Sequence, residues 1–156
     1  MNPEVLMQHA VDAARRGIQL GQSPFGCAIA LESRIVACRH NTVLATTDIT
    51  AHAEVNALRA ACLEMGDIVL KRCVVATTCE PCPMCMAALH WARVDVVYYG
   101  ATIEDAQQAG FNELRLPARE LLRLGGSPVT LVPDVLANEC RALFQLWQQH
   151  PLARRY

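Results

Sequence analysis

Two runs of the chain, "RCVVATT" before Cys79 and "DVVYYG" ending at Gly100, are almost wholly apolar. A strand that is apolar on both sides belongs to a sheet covered on both faces, the condition met by parallel strands flanked by helices. Between the two runs lies "CPMCMAALHWARV", a helical stretch with proline in its first turn. Strand, helix and strand in that order predict an α/β core, and the rest of the chain has to supply the covering layers.

The flanking segments fit that frame. "NPEVLMQHAVDAARRGIQLG" offers Asn2 as a cap, Pro3 at the first helical position and an apolar stripe through Val5, Leu6, Met7, Ala10, Val11, Ala14 and Ile18. "FGCAIALESRIVACR" reads as a hairpin turning at Glu32-Ser33. A polar loop, "HNTVLATTDIT", precedes a helix over "AHAEVNALRAACLEMG", whose inward residues are expected to be Val55, Leu58, Ala61, Cys62 and Met65. After Gly100 come a short helix over "IEDAQQAG", a second over "ARELLRLGG", a strand "PVTLV", and a last helix. That helix has Leu136, Cys140, Leu143, Phe144 and Trp147 on one face. The hairpin makes the sheet mixed, so the expected architecture is one α/β domain over residues 1–156, a three-layer α/β/α sandwich with a five-stranded mixed sheet.

Composition limits the possible functions. The net charge is −1, with no long run of lysine or arginine, which speaks against a protein whose main work is gripping nucleic acid. The N-terminus has neither the apolar run of a membrane span nor the pattern of an export signal, so a cytoplasmic protein with reduced thiols is expected. Cys27, Cys38, Cys62, Cys73 and Cys140 lie in apolar surroundings and read as inert core thiols.

The remaining cysteines are different. "CEPCPMC" places Cys82 and Cys85 at CxxC spacing in the first turn of a predicted helix, where free backbone N–H groups favour thiolates. Two thiolates leave a zinc ion two ligands short. His52 stands thirty residues upstream at the start of another predicted helix, with Glu54 two residues further on. Three protein ligands and an open position are the pattern of a catalytic zinc. Water in that position has its pKa lowered to roughly 7, and Glu54 is placed to carry its proton. The alternatives are a redox CxxC pair, or a structural site closed by Cys79. H-x-E followed by P-C-x-x-C is the zinc-deaminase signature and favours the catalytic reading.

"HAEV" with "TTCEPCPMC" resembles the cytidine deaminase-like superfamily, and the resemblance extends through "SPFGCAI" and "ALHWARVDVVYYGA". It implies that fold, one Zn2+ per subunit carrying water or hydroxide, and hydrolytic replacement of an amine on a nucleobase. "IEDAQQAGFNE" is similar to the matching stretch of bacterial guanine deaminases, although Asn112 stands where a second aspartate is usual. The resemblance therefore implies conversion of guanine to xanthine and ammonia. Another amino-heterocycle (guanosine, cytosine, isocytosine or an aminotriazine), tRNA adenosine, and a non-catalytic zinc scaffold remain alternatives. It further implies Asp105, with Glu104 beside it, as reader of the guanine donors. Asn41 supplies an amide that donates and accepts, and the Ala53 N–H an orienting group. Phe25 and Trp91 are candidate walls, with a core position on the stripe Met84, Ala88, Trp91 as the other reading of Trp91. The tail 150–156 is expected to cover an active site through Tyr156, and the enzyme to be a homodimer.

Overall fold

The structure, a computed structural model, describes all 156 residues. Helix α1 runs Pro3–Gln19 and begins as the sequence dictates, with the Asn2 side chain accepting from the N–H groups of Glu4 and Val5 at 2.8 and 3.3 Å. Strands β1 (Gly26–Leu31) and β2 (Arg34–His40) form the expected hairpin, with Glu32 at φ 55° in its tight turn. The segment expected as an open loop carries one short helix, α2 (Val43–Thr46). Then follow α3 (Ala53–Met65), β3 (Cys73–Cys79), α4 (Pro83–Trp91), β4 (Val96–Ala101), α5 (Ile103–Gln108), α6 (Ala118–Gly125), β5 (Thr130–Val132) and α7 (Ala137–Gln148).

The sheet order is β2-β1-β3-β4-β5. β1 is antiparallel to both β2 and β3, while β3, β4 and β5 are parallel, which gives the five-stranded mixed sheet. Alternation along the strands divides the core in two. Ala28, Ala30 and Ala76 face α1 and α7, where Phe111, Phe144 and Trp147 fill the space. Cys27, Ile29, Val75 and Val97 face α3, α4 and α6. Gly26 is required where α1 crosses β1, because a Cβ there would run into the backbone of Ala10 and Ala14.

Two helical faces differ from expectation. In α3 the buried face is Ala53, Glu54, Ala57, Leu58 and Ala61, with Val55, Cys62 and Met65 half-buried at its margin. In α4 the buried residues are Cys85, Met86 and Leu89, whereas Met84 is exposed and Trp91 is 80% exposed. Trp91 is therefore neither core nor a wall of the site. Nearly every residue of α4 is apolar, so spacing alone could not fix which side turns inward. Cys38 and Cys62 are also only half-buried, while Cys27, Cys73 and Cys140 are fully in the core.

Candidate metal centre and active site

Two helix starts meet beside the C-terminal end of β3. His52 is the N-cap residue of α3 and Cys82 that of α4, and neither uses its side chain to cap its own helix. Both side chains are thus free to point at each other. The Cys82 and Cys85 sulfurs lie 3.7 and 3.5 Å from His52 Nδ1. Bond lengths for zinc of about 2.3 Å to sulfur and 2.0–2.1 Å to nitrogen put neighbouring tetrahedral donors about 3.6 Å apart. The trio, whose ligand atoms all lie within 4.8 Å of one another, fits that edge length and has the donor types zinc prefers. Cys79 stands apart: it is buried at the strand end and its thiol donates to the Thr102 carbonyl at 3.3 Å.

The electrostatics suit a cation. The Cys82 thiol is pushed down to about 4, chiefly by a hydrogen bond from Cys85, with His52 adding to the effect and burial opposing it. Its neighbour Cys85 is held well above its usual range by that same bond, by burial and by Glu54. Burial alone would lower His52, but its hydrogen bond to Cys82 and the charge of Glu54 outweigh that and raise it. Glu54 is buried, and burial raises its pKa against the opposing pull of His52. One carboxylate oxygen, Oε1, accepts from the Thr77 hydroxyl at 2.7 Å, and the other, Oε2, faces Cys85 Sγ at 3.5 Å.

Over this corner lies a small inner cavity of about 20 Å³, bounded by His52, Glu54, Cys82, Phe25, Glu113 and Tyr156. It opens to an outer pocket of about 300 Å³ with Ile49, Met84 and Leu114 along its rim. A larger groove of about 650 Å³ near Arg39, Asn56 and Arg59 holds neither the trio nor Glu54. Asn41 is fully buried, donates to the Tyr156 hydroxyl at 2.6 Å and accepts from the Val43 N–H at 3.1 Å. The Tyr156 ring stands 5.7 Å from Phe111 and 5.9 Å from His52, and Arg155 donates to the Ala109 carbonyl at 3.1 Å. Within this chain the tail thus lies over the corner. Phe25 packs edge-on against Phe111 at 4.9 Å and is the apolar wall. Ala53 is buried at the first position of α3, where helix N–H groups lack partners within the helix.

Asp105 and Glu104 need correction. Asp105 is occupied by its own helix: its carboxylate accepts from the Thr102 N–H at 2.9 Å and completes a capping box. Glu104 is exposed, and neither carboxylate borders the cavity. Besides Glu54, the acids that do are Glu80 and, half-buried on the loop after Phe111, Glu113, whose pKa is raised mainly by burial and then by Cys82. Its only sequence signal is an acidic residue directly after "AGFN". Glu80 is a second unforeseen carboxylate. It is buried and accepts from the first N–H of α5 (Ile103, 3.3 Å) and of α6 (Ala118, 2.8 Å).

The cytidine and deoxycytidylate deaminase zinc-binding region matches residues 1–101. The chain belongs to this deaminase family. Among its relatives is the guanine deaminase of Bacillus subtilis (strain 168), 44% identical over 165 aligned residues that span the whole of both chains. A tRNA-specific adenosine deaminase of Aquifex aeolicus (strain VF5) is 36% identical over 65% of this chain and 67% of its own. The structure of a guanine deaminase from Nitrosomonas europaea superposes with a TM-score of 0.85 at 26% identity, covering 93% of this chain and 84% of that one. The deaminase fold therefore extends well past the matched region.

Proposed function

We propose that the chain is a guanine deaminase, converting guanine and water to xanthine and ammonia. The observation that carries this is that the buried Glu54 and the half-buried Glu113 border one small cavity together with His52 and Cys82 of the metal trio. Similarity to a guanine deaminase along the whole chain supports it, as does the shorter reach of the tRNA-specific relative.

His52, Cys82 and Cys85 would hold the zinc. When bound, zinc supplies Lewis-acid activation of the attacking water. Glu54 takes one proton of that water and delivers it to a ring nitrogen of the base, then takes the proton left on the newly added hydroxyl and delivers it to the departing amine, so that the carbonyl forms as ammonia leaves. Guanine presents N1–H and amine donors, and Glu113 supplies the acceptor that meets them. Asn41 and the Ala53 N–H orient the ring edge, Phe25 forms its wall, and Tyr156 closes over it. With room for about one water in the inner cavity, the tail has to yield for a base to enter. These contacts exclude bulk water from the reacting carbon once the tail returns.

We further place the chain as one domain, in the cytoplasm and as a homodimer. Eight free thiols suit a reducing compartment. Trp91 and Leu63, 80% and 85% exposed, are the apolar side chains we assign to a subunit contact. Sedimentation at micromolar concentration checks the dimer.

The test of function is ammonia release by the zinc-loaded protein from guanine, guanosine, cytosine, isocytosine, adenine, aminotriazines and tRNA. Guanine is expected to be the preferred substrate. Clear turnover of another base with none of guanine refutes the substrate assignment, and tRNA binding that falls steeply with salt would point to the editing alternative.

A further inference from the structure

We propose that Thr77 is a positioning residue that holds the Glu54 carboxylate by one oxygen and so assigns proton transfer to the other. This rests on the role given to Glu54 above. Thr77 lies on β3, the central strand, registered against Cys27 of β1 and Tyr99 of β4. Strand alternation turns it to the same face as Val75, toward α3, while Thr78 points to the opposite face and accepts the Gly26 N–H at 3.1 Å. A β-branched side chain on a strand paired on both sides has little rotational freedom. Its hydroxyl is therefore a fixed donor, and Glu54 Oε1 meets it at 2.7 Å with both residues buried.

The two Glu54 oxygens are thereby made unequal. Oε1 is held by Thr77, whereas Oε2 lies on the Cys85 side, toward the metal trio. A carboxylate anchored at one oxygen cannot rotate to exchange them without breaking a buried hydrogen bond. The oxygen left facing the trio is the one that exchanges protons with water and base. Because Thr77 touches neither, its effect should appear in turnover and not in substrate affinity.

The experiment uses the zinc-loaded enzyme. Thr77→Val keeps the shape and removes the hydroxyl, and is expected to lower kcat about 10- to 100-fold with KM within about twofold and zinc content unchanged. Thr77→Ser should restore kcat to within about threefold. In a Glu54→Gln background, Thr77→Val should bring no further loss. A readout independent of turnover is the Glu54 carboxyl band, found by infrared difference against Glu54→Gln. It should move in Thr77→Val and return in Thr77→Ser. An unmoved band with kcat within twofold overturns the proposal, as does a loss of zinc or a rise in KM that accounts for the lost activity. If the wild type releases ammonia from no base, the functional reading fails, and the infrared band still decides whether Thr77 holds Glu54.

Discussion

The metal corner and the substrate cap are built in opposite ways. The corner comes from two helix starts, with His52 and Cys82 each placed at an N-cap by the helix that follows. Each helix start is specified by its own short motif, and the two starts meet across thirty residues. The cap comes from distant parts: Asn41 and Tyr156 meet across 115 residues, and Glu113 reaches in from a loop. A corner fixed by regular structure can hold a metal rigidly. A cap made of a loop and a tail can open for the base and close again. On the proposed function, the site divides into a rigid chemical half and a movable recognition half.

That division can be tested by removing one group at a time. Glu54→Gln strikes the rigid half, and should lower kcat by about 10³-fold while zinc stays bound, as metal analysis and turnover together would show. Glu113→Gln strikes the movable half. Losing a charged acceptor should lower kcat/KM by about 10- to 100-fold, again without loss of zinc. If Glu113→Gln instead expels the metal, the two halves are not separate. Tyr156→Phe removes only the hydroxyl that meets Asn41. Steady-state kinetics should show KM raised about fivefold with kcat nearly unchanged, the effect of one neutral hydrogen bond. The smallest effect on turnover should come from Asp105→Ala. Activity should stay within twofold while thermal unfolding shows a loss of about 1 kcal/mol, because Asp105 caps α5 and does not touch the cavity.

The contrast also explains what could be read from the sequence. The near-continuous apolar strand runs, the Asn2-Pro3 helix start and the hairpin are local signals, and the layered sheet follows from them. The trio was legible because metal chemistry demands few residue types at narrow spacing. Asp105 misled because a carboxylate in the first turn of a helix has a use of its own. Its capping role needs no ligand, and a sequence does not say which role prevails. Glu113 lies between α5 and α6, where no period gives a direction to the side chain. The inward side of α4 was misassigned for a related reason: with Met84, Cys85, Met86, Ala88, Leu89 and Trp91 all apolar, the stripe has no contrast. Docking of Cys85 beside His52 sets the rotation of that helix, and this is a tertiary constraint.

The Glu80 carboxylate described above has a consequence for how such a protein can change. It stands two residues before Cys82 and grips the starts of both α5 and α6, so the chain between Ile103 and Ala118 hangs from two pins next to the metal. Whatever is strung between them is delivered to the same place. Loop entropy grows slowly with length, so the part of that stretch outside the core, residues 112–117, can be lengthened, shortened or rewritten at small cost to the fold. The architecture amounts to a socket with an interchangeable insert: new preferences can be tried in residues 112–117 while the metal trio keeps its place.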